Sequence, residues 1–209
     1  MKKKKILIGI ILIIIGIILI NELIIKPVSQ SAEKPVIYLY PQEDSFINVT
    51  LNINGKITQS EPGYGNGWQV FATKEGIING KYDYLFWEAN LNKLDLPDEG
   101  WIVKYEDLKN WFDENLSALG LNEKEKRQFM EYWLGRLPKS EYYEIRLLSD
   151  EFMKQNMDLC VSPEPDTVIR LTFYFTPLSE KINLPAPKIE TPERKGFTVV
   201  EWGGILKRD

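Results

Sequence analysis

The chain has 209 residues, a formal charge of −4, no histidine and one cysteine, Cys160. Without histidine there is no Ser-His-Asp or Cys-His catalysis, no His-ligated zinc and no histidine pH switch. A single cysteine allows no intrachain disulfide.

Residues 6–25 read ILIGIILIIIGIILINELII, and residues 2–5 before them are all lysine. Twenty residues at ~1.5 Å rise span about 30 Å, the thickness of a hydrocarbon core. A helix apolar all round belongs in lipid. The lysine cluster puts residues 1–5 in the cytoplasm, so the reading is a single-pass transmembrane helix with the rest of the chain outside the cell membrane. The bilayer is then one partner, through residues 6–25. A cleaved signal peptide ending near Ala32 is the rival reading, with Ser29-Gln30-Ser31 as a weak cleavage signal. Setting aside residues 2–5, Lys26 and Glu22 takes the basic count from 26 to 21 and the acidic count from 30 to 29. The remainder is near −8, which argues against nucleic acid as a partner.

Residues 26–33 read as a polar tether, and residues 34–204 as one domain, long enough to bury a core. Residues 36–40 form a compact β run. Ile47, Val49, Leu51 and Ile53 alternate with Asn48, Thr50, Asn52 and Asn54, the period of a half-buried strand. Asn54-Gly55 is a type I′ turn signal, so residues 56–58 are expected to pair back as a hairpin. Residues 61–67 form a Gly-rich loop with no Lys-Ser/Thr after it, hence no phosphate cradle. A strand over 68–73 follows. A second Asn-Gly at 79–80 predicts a hairpin joining 76–78 to 82–88. The last of these segments, YDYLFWE, is apolar on both sides and reads as a strand near the sheet centre. Residues 90–100 form a loop without EF-hand spacing. No cofactor or metal site is expected.

Helical periodicity then takes over. Leu108, Trp111, Phe112, Leu116 and Leu119 form one stripe, ended by Gly120. Asn122 with Glu125 is a capping pair for a second helix, whose stripe is Phe129, Met130, Trp133, Leu134 and Leu137. The short link makes an αα-hairpin, with Trp111 and Trp133 read as core. A strand over 142–148, a short helix over 150–157 and an alternating strand through Ile169, Leu171, Phe173 and Phe175 come next. Cys160 is expected to be a small buried residue. Residues 177–192 read as a proline-studded crossing over the surface. Residues 197–202 form the last strand, ended by Gly203-Gly204, and 205–209 a tail. Strands flanking one helical hairpin predict an α+β fold with a mainly antiparallel sheet.

Three stretches, KPVIYLYP at 34–41, YDYLFWE at 82–88 and FTVVEWGG at 197–204, together resemble a family of secreted or membrane-anchored bacterial proteins of unassigned function. The resemblance runs from about Lys34 to Gly204. It implies a shared fold and an extracytoplasmic setting, and carries over no catalytic residues.

The groups able to carry chemistry are acidic and aromatic. Glu88 beside Trp87 and Glu201 beside Trp202 are the candidate ligand-binding residues, because rings stack on sugar faces and carboxylates bond hydroxyls. Two carboxylates about 5–10 Å apart could also run glycoside hydrolysis. Asp83 and Glu88 cannot be that pair, since an offset of five puts them on opposite strand faces. The structural alternative has each glutamate accepting backbone N–H groups or pairing with an arginine such as Arg170. No catalytic residue is assigned. The leading expectation is a non-enzymatic envelope module that binds a glycan or a protein. The alternatives are a carboxylate-dependent glycoside hydrolase or lyase acting on envelope polysaccharide, and a structural subunit of a membrane complex.

Overall fold

The computed structural model describes residues 30–207, so residues 1–5, the apolar segment at 6–25 and its signal-peptide alternative lie outside the described residues, while the tail expected over 205–209 is corrected at its start, Ile205 and Leu206 being buried residues of the last strand. The described chain is α+β and mostly sheet. Ten strands run in chain order: β1 (Gln30–Tyr40), β2 (Ser45–Ile53), β3 (Gly55–Glu61), β4 (Trp68–Ala72), β5 (Leu85–Leu91), β6 (Trp101–Lys104), β7 (Tyr142–Leu147), β8 (Met157–Ser162), β9 (Thr167–Leu178) and β10 (Thr198–Leu206). The helices are α1 (Leu108–Ala118), α2 (Glu123–Arg136) and α3 (Asp150–Asn156).

Seven strands form one sheet in the order β3-β5-β1-β10-β9-β7-β6; β4-β2-β8 form a second. Pairing is antiparallel throughout except between β10 and β9. A parallel neighbour needs a crossover, and here the irregular segment after Leu178 supplies it. Pro192 of that segment packs against Gly120, and Arg194 bonds Glu125.

The large sheet is covered on both faces, which is why its inner strands are apolar on both sides. One face packs on the small sheet through Ile37, Leu85, Trp87, Val199 and Ile205 against Ile47, Val49, Trp68 and Val70. The other face packs on the α1–α2 hairpin through Val36, Tyr38, Phe173, Phe175 and Trp202 against Phe112, Leu116, Phe129 and Trp133. Each fully buried phenylalanine contributes about 1.5–3 kcal/mol. Asn122 caps α2 with a complete capping box, its side chain accepting from the Glu125 N–H while Glu125 accepts from the Asn122 N–H. Gly120 ends α1 at φ +96°. Trp133 is buried, whereas Trp111 is only half-buried and packs edge-on against Trp101.

Several local expectations are corrected. The Asn54-Gly55 hairpin does not form. β2 is paired on both sides within the small sheet, and β3 pairs with β5 in the large one. Asn54 is instead a corner between sheets, its N–H donating to the Asn156 carbonyl and its carbonyl accepting from Asn92 N–H, each at 2.9 Å. Gly55 is required by close approach, since a Cβ there would lie 2.0 Å from the Asn90 carbonyl oxygen. The second Asn-Gly does turn, with φ of 51° and 66°, but only isolated bridges flank it; β5 begins at Leu85 and is second from the sheet edge rather than central.

Gly203 and Gly204 do not end the last strand. They lie inside β10, where a Cβ would come within 2.9 Å of the Pro35 Cα and 2.6 Å of Trp133 Cζ2 respectively. The segment expected as tether enters β1 at Gln30, with Ser31 and Ala32 paired to Asn90 and Ala89. Cys160 is exposed, because its pairing with Thr50 sets it on the outer side of the small sheet while Leu159 and Val161 turn inwards.

Candidate functional site

The stretches 34–41, 82–88 and 197–204 are far apart in sequence, yet they fall on β1, the start of β5 and β10, which are consecutive in the large sheet. Register fixes which side chains share a face. Val36 sits between Phe86 and Trp202, and Ile37 between Leu85 and Glu201. Alternation then puts Phe86, Glu88 and Trp202 on the helix-covered face, and Leu85, Trp87 and Glu201 on the face under the small sheet.

Glu201 is completely buried. One carboxylate oxygen accepts the Trp87 indole N–H at 3.0 Å, and the other accepts Arg170 Nε at 2.8 Å and Nη2 at 2.7 Å. Arg170 Nη2 also donates to the Met157 carbonyl at 2.6 Å, tying the small sheet to the large one. Every group here has a partner; Glu201 is shut off from solvent, and the Arg170 side chain keeps only 12% of its surface exposed. Trp202 is equally buried, against Tyr38 and Phe129. Of the four candidates read from sequence, Trp87, Glu201 and Trp202 are therefore interior, and the Arg170 pairing holds for Glu201. Glu88 and Glu201 project from opposite faces and cannot flank one glycosidic bond.

Glu88 alone reaches a cleft. β1 bulges at Lys34-Pro35, where register shifts against both β5 and β10. Lys34 has φ +56°. The residue before a proline is normally pushed to extended backbone, and a non-glycine residue in the left-handed region costs on the order of 1–3 kcal/mol. The surroundings hold it there. Pro35 packs into the space that Gly203 leaves open, and Lys34 N–H donates to Glu88 Oε1 at 3.3 Å.

The bulge drives the Lys34 side chain into a cage of rings. Its ammonium lies 4.6 Å from the Phe86 centroid, 4.9 Å from Tyr84 and 6.0 Å from Tyr132, and donates to the Tyr84 hydroxyl at 3.1 Å. Tyr132 comes from α2, which is pinned beside the bulge by Arg136 bonding both oxygens of Glu33 at 2.6 and 2.9 Å. Burial, then the carboxylates of Glu33 and Glu88, push the Tyr132 phenol above its usual range. At the mouth, Lys124 donates to Asp83 at 2.6 Å and holds that carboxyl below the usual aspartate value.

The cleft has a volume of about 550 Å³ and is completed by Gln59, Glu61, Lys81 and Tyr82. It opens where the helical hairpin stops covering the large sheet. A second groove, of about 750 Å³, runs between β6 and the first half of α1, beside Trp101 and Trp111. Among the described residues no group of three or more acidic, Cys or His side chains could hold a metal ion. Lys34, Tyr84, Phe86 and Tyr132 are the site residues that sequence reasoning missed. The available signal was Tyr84, Phe86 and Glu88 sharing one strand face.

A stretch of this chain is 48% identical over 63 residues to the "Uncharacterized protein in bglA 3'region" of Butyrivibrio fibrisolvens. The match covers 27% of this chain and 66% of that relative. No family model matches the chain, and no solved structure matches it.

Proposed function

We propose that this chain is a saccharide-binding module of the bacterial cell envelope, held at the membrane by residues 6–25 with the folded domain outside. The observation that carries the reading is Lys34. A strained residue held by two neighbouring strands, with its ammonium set among three rings at an open cleft, is costly to the fold and has no packing role that an apolar side chain would not fill better. Rings beside carboxylates and an ammonium supply both apolar faces and hydrogen-bonding groups for a sugar. The resemblance to secreted and membrane-anchored bacterial proteins supports the same setting. A structural-subunit reading has less support: the exposed large hydrophobics of the described residues are Phe46, Val168 and Ile182, none of them on the helical hairpin.

The test is co-sedimentation of the full chain, in detergent, with envelope polysaccharide. Saturable binding that weakens about tenfold in Tyr84→Ala is expected, the equivalent of ~1.4 kcal/mol. Absence of saturable binding ends the reading. Topology is checked separately through Cys160, the lone cysteine and an exposed one. A membrane-impermeant maleimide should label it in intact cells, and labelling only after lysis would put the domain inside. Burial and then the Asp158 charge push this thiol upward, so labelling should quicken as pH rises through and above the ordinary thiol range.

A further inference from the structure

Two lysines line the cleft, and they are held alike. Lys34 Nζ donates to the Tyr84 hydroxyl at 3.1 Å and Lys81 Nζ to the Tyr82 hydroxyl at 3.0 Å. Each ammonium also stands over a ring, Lys34 at 4.6 Å from Phe86 and Lys81 at 4.4 Å from Tyr82. Among the described residues neither has a carboxylate within ion-pair distance, although Glu61 and Glu88 line the same cleft. Of the acidic residues in the cleft, Glu61 acts on Lys81 only from beyond contact distance. Asp83 is taken by Lys124 and Gln128, and Glu88 accepts the Lys34 backbone N–H.

An ammonium offers three N–H donors, and a phenol uses one. Both lysines therefore keep donors for whatever enters, and neither ammonium is in a contact ion pair. We infer that the cleft takes a saccharide carrying an anionic group, a carboxylate or a phosphate, seated against the ammonium groups of Lys34 and Lys81. The inference rests on the saccharide reading above and narrows it. The rings of Tyr82, Tyr84 and Phe86 offer faces to the sugar, and Gln59, Glu61 and Glu88 offer acceptors to its hydroxyls. A neutral sugar leaves both ammonium groups without a contacting anion. A dense polyanion meets Glu61 and Glu88 in the cleft and an acidic domain around it. One charge per ring, flanked by hydroxyls, satisfies the lysines and the glutamates together.

The experiment is calorimetric titration of the full chain in detergent with three probes: trigalacturonate, glucose 1-phosphate and neutral cellotriose. One of the two anionic probes should bind at least about tenfold more tightly than cellotriose, and which one does so identifies the anionic group as carboxylate or phosphate. That preference should weaken at high salt. It should fall about tenfold in Lys34→Met and in Lys81→Met, each fold-step being ~1.4 kcal/mol. Lys81 is exposed, so its replacement leaves the fold intact and reads recognition alone. Cellotriose binding as tightly as the anionic probes, or affinities unchanged in both lysine variants, overturns the inference while the saccharide reading stands. If none of the three probes binds, the inference falls, and the co-sedimentation assay then decides whether the saccharide reading falls with it.

Discussion

Trp87-Glu88 and Glu201-Trp202 are the same two residue types in opposite order, on strands separated only by β1. Their fates differ completely. Glu201 points under the small sheet, where a layer of side chains closes over it and an arginine and an indole take up its oxygens. Glu88 points to the helical side, at the margin of the α1–α2 hairpin where Tyr132 borders an open cleft, and lines that cleft. The same two residue types stand side by side in both cases. What separates them is strand parity and the extent of the covering layer, so a carboxylate beside a tryptophan marks neither a site nor a core by itself.

Perturbing the buried side of this contrast should have the largest effect. Glu201→Ala strands the Arg170 guanidinium inside the molecule, and breaking a buried pair costs about 3–5 kcal/mol. Urea unfolding should show the loss. If Glu201→Ala and the wild type unfold at the same denaturant concentration, the pair contributes nothing and the contrast collapses. Next in size is Gly204→Ala, which puts a methyl group into the Trp133 ring; overpacking of this kind costs about 1–3 kcal/mol, and the same unfolding curves measure it.

On the open side, Glu88→Gln keeps size and removes charge. Its stability should stay within about 1 kcal/mol of wild type, while saccharide affinity drops. A large stability loss would mean that Glu88 holds the bulge in place and that the cleft is a by-product of packing. The smallest effect is at Asp83. Lys124 depresses its folded value, so the pair stabilises the fold above the ordinary aspartate value, and that contribution disappears as pH falls through the lower folded one. Below about pH 4, Asp83→Asn should therefore lose stability with acid less steeply than wild type.

Much of the fold was open to a reader of the sequence. The period of 2 in Ile47 to Ile53 marks β2, and the stripe through Phe112 and Leu116 with the Asn122–Glu125 box marks the hairpin. These are local signals, set by repeat and capping. Strand partners are not local. Asn54-Gly55 carries the composition of a hairpin turn, yet β2 and β3 find better partners elsewhere, and only the tertiary structure decides that. The glycines of β10 look like a terminator because their neighbours Pro35 and Trp133 lie far away in sequence. The cleft was half legible: Glu88 was visible as a candidate, but Lys34 precedes a proline, and that context points to ordinary extended backbone. Its left-handed conformation arises only when β5 and β10 grip the bulge from both sides.

The sheet order also bears on how the domain comes into being. β1 and β10 are neighbours, and nearly all of the described chain lies between them. The β3-β5-β1 block and the β9-β7-β6 block are joined through β10 alone. A chain emerging from its N-terminal end must carry both blocks with open edges until residues 198–206 arrive to bridge them. Closing so long a loop is slow, since non-local pairing lengthens folding to the millisecond-to-second range, and unpaired edges invite association in the meantime. Commitment to the folded state is thus deferred to the last strand.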